Sequence, residues 1–352
     1  MPNWLSSMQQ TFEYYIVNPN TWKDEKRIDN VISCTIDNDA EAETLGSASF
    51  DIAASLGECY IRTYLITIQN GIREKHPLGT HLIQTPSSNF DGMRQSVTMD
   101  AYTPLMELKE NKPPIGYYIP KRELITDRAY SLVREKARAP VIKAVCDEKL
   151  YSDFVSNTDD TWLTFLTDLL ANAKYRFGLD EMGRILFAPN QDATALSPVY
   201  TFNDDNSSIL YPDITMDHDL YGIPNVVEVI YSDASSHFYA KVVNDDPNSP
   251  ISTVRRGREI VYRVDDPSIV GDPTDDQIRE YATRLLKELS TIEYRITYSH
   301  GYVPVRIGDC VRLNYASAGL VDVRAKVVQQ TIQCVPGCPV SETAVFTTKL
   351  WG

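Results

Sequence analysis

Apolar and polar residues alternate along most of this chain, in short stretches separated by turn residues. From Arg27 to Ala53, RIDNVISCTIDNDAEAETLGSASFDIA reads as a strand, an acidic connection and a second strand. From Cys59, CYIRTYLITIQNGIREKHPLGTHLIQT adds two alternating segments around Asn70-Gly71, a dipeptide suited to the positive φ angles of a tight hairpin. QSVTMDAYTPL, residues 95–105, supplies another strand. Short strands at regular spacing predict an antiparallel barrel or sandwich over residues 1–110.

The period changes after ENKPPIGYYIPKREL, whose prolines mark a linker. Thr126 is placed to cap a helix that runs to about Arg138 and stops before Pro140. A second helix is expected from Thr158–Asp160, with Trp162, Phe165, Leu166, Leu169, Leu170 and Ala173 on one face. Acidic residues at its start suit the positive end of the helix dipole. KYRFGLDEMGRILFAP then predicts a hairpin with Gly183 in its turn. Residues 111–200 therefore form an α+β insertion, and its Trp-bearing apolar stripe is core packing, not a cofactor box.

Alternation returns over residues 201–244, where NVVEVIYSDASSHFYAKVVND gives a strand, a Ser-rich turn and a strand. Residues 245–292 are a turn-rich arm followed by a helix. Thr274 with Gln277 makes a capping box there, and Ile278, Tyr281, Ala282, Leu285 and Leu289 repeat on one face. Residues 293–352 are again β. The second β region is therefore 201–244 with 293–352, interrupted by 245–292. The two β regions share a device: Gly57-Glu58-Cys59 and Gly308-Asp309-Cys310 each feed a strand, a Gly-containing turn and another strand. THLIQT parallels VVQQTIQC, and each region closes on one more strand. The expectation is a mainly β chain with α+β insertions, built on two antiparallel β-barrels with helix-containing inserted domains.

The chain has 34 basic and 48 acidic residues, a formal charge of −14. That balance argues against a general binder of nucleic acid or anionic membranes, because Lys and Arg carry phosphate binding. No apolar run approaches the ~18 residues of a spanning helix. The start, MPNWLSSMQQTFEYY, lacks the basic and apolar regions of a secretory signal. The six cysteines are scattered, and the one close pair, in CVPGC, lacks the partners a structural zinc needs. Cys334 and Cys338 are read as flanking a Pro-Gly turn, and Cys59 and Cys310 as small buried apolar residues that bind no metal.

No GxSxG, HExxH or GxxxxGK[ST] occurs, so no catalytic residue, cofactor site or metal site is predicted. His76 and His81 flank Pro77 and Gly79 and are expected in a surface loop. The acidic pairs Asp159-Asp160, Asp204-Asp205, Asp245-Asp246 and Asp265-Asp266 fit turns and helix starts, and none follows the EF-hand pattern. Arg255, Arg256 and Arg258 stand out against this acidic background as an arm for an acidic neighbour, since Arg forks suit carboxylates. They lack the interleaved aromatics of a nucleic-acid site.

The layout resembles the baseplate or tail-tip hub proteins of tailed bacteriophages, whose relatives occur in contractile injection machines. LGSASFDI, RFGLDEMGRILFAP, VVNDDPNSPIS, RRGREIVYRV, the helix from Thr274 and YVPVRIGDCVRLNY carry the resemblance, which covers nearly the whole chain. It implies two tail-tube-like barrels per chain and a homotrimeric, pseudo-six-fold ring. Such a ring joins the tail tube or a distal tail protein to a central spike or tail fibre. Its channel passes the tape measure protein and DNA, within a virion assembled in the host cytoplasm. The chain stops at Trp351-Gly352 without the lysozyme, peptidase, LysM or spike module that longer relatives append. The alternative is a tail-associated cell-wall hydrolase or carbohydrate-binding protein that uses the acidic turns.

Overall fold

The computed structural model describes residues 2–53, 56–90, 95–232, 237–265, 267 and 274–351. The first β region holds β1 (Gln9–Val17), β2 (Asp24–Ile28), β3 (Val31–Asp39), β4 (Gly46–Ile52), β5 (Cys59–Gln69), β6 (Ile72–Phe90) and β7 (Gln95–Tyr102). The insertion follows with α1 (Met106–Lys109), β8 (Tyr118–Ile119), α2 (Ile125–Lys136), β9 (Phe154–Val155), α3 (Trp162–Ala171), β10 (Tyr175–Leu179) and β11 (Ile185–Pro189). Then come β12 (Tyr200–Asn203), β13 (Leu210–His218), β14 (Val226–Ser232), β15 (His237–Val243), α4 (Thr253–Arg256), β16 (Val261–Asp265) and α5 (Asp275–Leu289). The last strands are β17 (Thr291–Gly301), β18 (Cys310–Tyr315), β19 (Leu320–Gln333) and β20 (Pro339–Lys349). The chain divides into two compact units, Met1–Ile214 with Thr297–Ala344 and Thr215–Ile296 with Val345–Gly352.

β4 shows why alternation makes a strand: Ala48, Phe50 and Ile52 are buried, while Ser47, Ser49 and Asp51 between them are less so. β5 breaks that rule, because Tyr60 through Thr67 are all buried. Its two faces serve two cores. Ile61 and Leu65 pack with Ile36, Phe50, Val97 and Met99 inside the first β region. Tyr60, on the other face, joins the core of the insertion, where α3 supplies Trp162, Phe165, Leu166 and Leu169. Asn70 and Gly71 turn β5 into β6 with φ of 52° and 79°, as their sequence requires.

The two β regions repeat one strand order. Taken from β3 to β7, the sheet runs β3-β4-β7-β6-β5, with β1 beyond β5; in the second region it runs β13-β17-β20-β19-β18, with β12 beyond β18. The flanking strands differ in direction, β1 antiparallel to β5 and β12 parallel to β18. The chain is mainly β with helical insertions, as the sequence predicts, and the sequence further predicts two antiparallel β-barrels. Instead, among the described residues, no pairing closes either run, and both belong to one 13-stranded sheet. The cause is the length of β19. Its residues Leu320–Lys326 pair with β18, and Gln329–Gln333 extend beyond and take Thr35–Asp39 of β3.

Four expectations are corrected. The hairpin β14–β15 is not part of the large sheet; it forms a three-stranded sheet with β16, and Val227, Val229 and Ala240 pack against Ile278, Ala282 and Leu286 of α5. β16 lies in the arm that reads as turns, because only five residues alternate there. His76 and His81 are not in a surface loop but within β6. Pro77 and Gly79 flank an irregularity at which Thr63 pairs with Gly79 and Tyr64 with Pro77, so Leu78 bulges and the strand continues. Thr126 lies inside α2, which starts at Ile125 with Leu124 as its cap residue. The Ser-rich turn, residues 233–236, and Asp266 lie outside the described residues.

Candidate functional site

The tip of the β10–β11 hairpin is clamped to β6. Arg62, wholly buried on β5, donates to Thr80 Oγ1 at 2.9 Å and to the Met182 carbonyl at 3.0 Å, and pairs with Asp24 at 2.8 Å. Trp22 Nε1 donates to the same Met182 carbonyl at 2.7 Å. Gly183 sits at φ 71°, and a Cβ there would lie 2.7 Å from Thr80 Cβ, so this turn needs glycine. Beside the clamp lies a cavity of about 350 Å³, lined by this hairpin, by Thr80 and His81 of β6, by Tyr302 and Val305–Asp309 before β18, and by Lys326 and Gln330 of β19.

Charge in the cavity is partly compensated. Arg306 pairs with Glu181, and its backbone N–H donates to Asp309 Oδ2 at 2.9 Å. Arg184 Nε reaches Asp180 Oδ2 at 2.5 Å. Lys326 Nζ donates to the Gln191 carbonyl at 2.7 Å. Burial raises the Asp309 carboxyl above its ordinary range, and burial followed by the nearby Arg176 lowers Lys326. His81 is 2% exposed, its Nδ1 has no hydrogen-bond partner, and burial pushes its imidazole down to about 4. Below the cavity, Gln330 Nε2 donates to Val305 O at 2.9 Å and to Glu342 Oε1 at 2.7 Å. Glu342, wholly buried, also accepts from Tyr298 OH at 2.6 Å and faces His300 Nε2 at 3.3 Å.

The two Gly-acid-Cys turns occupy corresponding places and different surroundings. Cys59 and Cys310 each begin a strand and pair with the following one, opposite Ile83 and Lys326. Gly57 and Glu58 are exposed, and a Cβ on Gly57 would meet nothing. Gly308 and Asp309 instead line the cavity; Gly308 has φ 90°, and a Cβ on it would collide with the Arg176 guanidinium. The basic arm makes hydrogen bonds within its own unit, while Arg255 and Arg258 stay exposed. Arg255 Nε donates to Pro247 O at 2.8 Å, Arg256 to Ile223 O at 2.8 Å and Leu220 O at 3.0 Å, and the Arg258 carbonyl accepts from Asn225.

Sequence reasoning passed over Arg176, Glu342 and the meeting of three cysteines. Glu342 had a signal: it occupies an inward phase of the alternating Val340–Ala344. Cys334 and Cys338 flank Gly337 at φ 92° and are buried with Cys34, whose carbonyl accepts from Cys334 N at 2.9 Å. A hydrogen bond with Cys34, and then burial, hold the Cys334 thiol well above its ordinary range. Among the described residues, no group of three or more His, Cys, Asp or Glu is arranged to hold a metal ion, and no helix is long and apolar enough to cross a membrane.

This fold, with its repeated six-strand order, an α+β insertion between the repeats and a helix-bearing excursion in the second, superposes over nearly its whole length on solved tail proteins. A tail protein from Neisseria meningitidis MC58 superposes with a TM-score of 0.63 at 12% identity, over 96% of this chain and 97% of that one. The 43 kDa tail protein of prophage MuSo2 from Shewanella oneidensis gives 0.58 at 10% identity, over 95% and 98%. At such identity the likeness is one of fold. No family model matches the chain, and no curated protein sequence matches it significantly.

Proposed function

We propose that this chain is a structural, non-enzymatic hub of a phage tail baseplate or tip, acting as a homotrimer. The observation that carries this reading is the repeated strand order, β3-β4-β7-β6-β5-β1 and β13-β17-β20-β19-β18-β12. Three chains with two like β runs each offer six similar surfaces to a six-fold tail tube or distal tail protein, and three-fold symmetry to a central spike or tail fibre. The fold shared with two tail proteins supports it. In this reading residues 1–110, and 201–244 with 293–352, are the tube-like halves, less the β14–β15 hairpin; residues 111–200 and 245–292 stand outside the ring. The ring encloses a channel for the tape measure protein and DNA in a virion assembled in the host cytoplasm. Its lumen is neutral or negative, in keeping with the formal charge of −14, so passing phosphates are not held.

Native mass spectrometry with electron microscopy of the purified chain tests this, alone and mixed with tail-tube protein. The expected particle is a three-chain ring with six peripheral lobes. A monomer under all conditions, or six copies in one ring, would overturn it. Release of reducing ends from host cell wall by the same preparation would favour the hydrolase alternative.

A further inference from the structure

We propose that the cavity between the β10–β11 hairpin and the loop before β18 is a binding site for a ligand carrying one carboxylate on an apolar body. Arg176 is the reason. Its guanidinium makes no hydrogen bond or ion pair among the described residues, and its Nε is buried without a partner. Its guanidinium lies where a Cβ on residue 308 would stand, so glycine there admits this placement. A half-buried cation with no partner is costly to the fold, and such a group persists where its counter-charge arrives from outside.

The charge balance of the site fixes the ligand's charge. Arg306 with Glu181 and Arg184 with Asp180 are matched pairs. Asp192 lies near Lys326 and Asp309 near Arg306, so Arg176 is the lining cation that no carboxylate of the described residues is set against. His81 stays neutral at physiological pH, because burial pushes it down to about 4. One carboxylate balances the Arg176 charge and matches the planar guanidinium fork in bidentate fashion. A phosphate dianion would overcompensate it. Leu179, Leu186, Tyr302 and Ile307 give the site apolar walls, and about 350 Å³ lies within the range of small-ligand and side-chain pockets. The whole site lies in the unit Met1–Ile214 with Thr297–Ala344, so it needs no oligomer and stands apart from the hub reading.

Calorimetric titration of the full chain tests this with hexanoate, hexanamide, inorganic phosphate, and the peptide acetyl-Leu-Glu-Leu-amide beside its Gln counterpart. Hexanoate and the Glu peptide are expected to bind, with hexanamide and the Gln peptide at least about tenfold weaker. Arg176→Gln should weaken the carboxylate probes about ten- to hundredfold, the worth of a charge-assisted hydrogen bond, and Lys326→Gln about tenfold. Arg176→Gln should leave the melting temperature unchanged or raise it, since it removes an unpaired cation. Tighter binding of the Glu peptide assigns the carboxylate to a segment of a neighbouring protein; tighter binding of hexanoate assigns it to a free organic acid. Four results would overturn the site: neither carboxylate probe binds, amide and carboxylate probes bind alike, phosphate binds more tightly, or Arg176→Gln lowers the melting temperature.

Discussion

Arg62 occupies a position that alternation alone assigns to neither water nor core. In CYIRTYL it reads as the polar member of a half-exposed strand, but β5 is covered on both faces, so its guanidinium is buried and divided among Asp24, Thr80 and the Met182 carbonyl. Removing one partner of a buried ion pair costs about 3–5 kcal/mol. Asp24 is partly exposed and keeps Lys75 and the Tyr64 hydroxyl, so Arg62→Ala should sit near the lower figure, about 3 kcal/mol, read from the urea midpoint. His81 gives a pH signature. The unfolded chain protonates it near 6.5, whereas the folded chain holds it neutral down to about 4. Between those values the unfolded state binds the extra proton, so stability is full above pH 6.5 and falls by about 3 kcal/mol as pH drops to 4. Melting curves across that window should show a slope in the native chain that is flattened in His81→Leu. Burial of Cys34, Cys310, Cys334 and Cys338 gives a further check: a thiol reagent should label Cys59 and Cys146 first, and all six only in denaturant.

Caps and turns were the most legible elements, because their chemistry is local. The Thr274–Gln277 capping box stands as the sequence implies, with Thr274 N donating to Gln277 Oε1 at 2.9 Å. Thr274→Ala should cost about 1 kcal/mol, seen as faster amide exchange in the first turn of α5 with little change in β5. α3 was legible in its apolar face and not in its start. Its cap is Thr161, whose partner at the third helical position is Thr164 rather than the Glu or Gln of the usual box. Asp160 is spent on the preceding turn, accepting from Asn157 N at 2.7 Å, and leaves no acid in the first helical turn. β1 went unread although TFEYYIV alternates, since its meaning depends on β5, its partner some fifty residues on. Pro77 and Gly79 suggest a loop because sequence shows the missing N–H and not the bulge that absorbs it.

Across the whole molecule, the repetition of Gly-acid-Cys turns and hairpins pointed to a duplicated β unit, and the strand orders agree. What composition could not supply was neighbourhood. Strand type is written in two-residue alternation, but which edge meets which depends on length and register. β14 and β15 alternate as well as any strand of the large sheet, yet they cover α5 instead. The cavity was half legible: Gly308 and Asp309 stood out by repetition, while Arg176, Lys326 and His81 meet there from elements far apart in sequence.

The pairing of β19 with β3 has a consequence for synthesis. Gln329 bonds to Asp39 across 290 residues of chain, so a ribosome adding roughly 5–20 residues per second leaves that edge of β3 without its partner for roughly 15–60 seconds. An open strand edge recruits other chains, and charge at the edge deters them. Asp37 and Asp39 lie on the waiting stretch and later accept from Thr331 Oγ1 at 2.6 Å and Gln329 Nε2 at 3.1 Å. The same two carboxylates guard the nascent edge and then fasten its late partner. Asp37→Val with Asp39→Val should therefore raise the insoluble fraction of newly made chain several-fold during translation, and more than it lowers the melting temperature of whatever protein does reach the folded state.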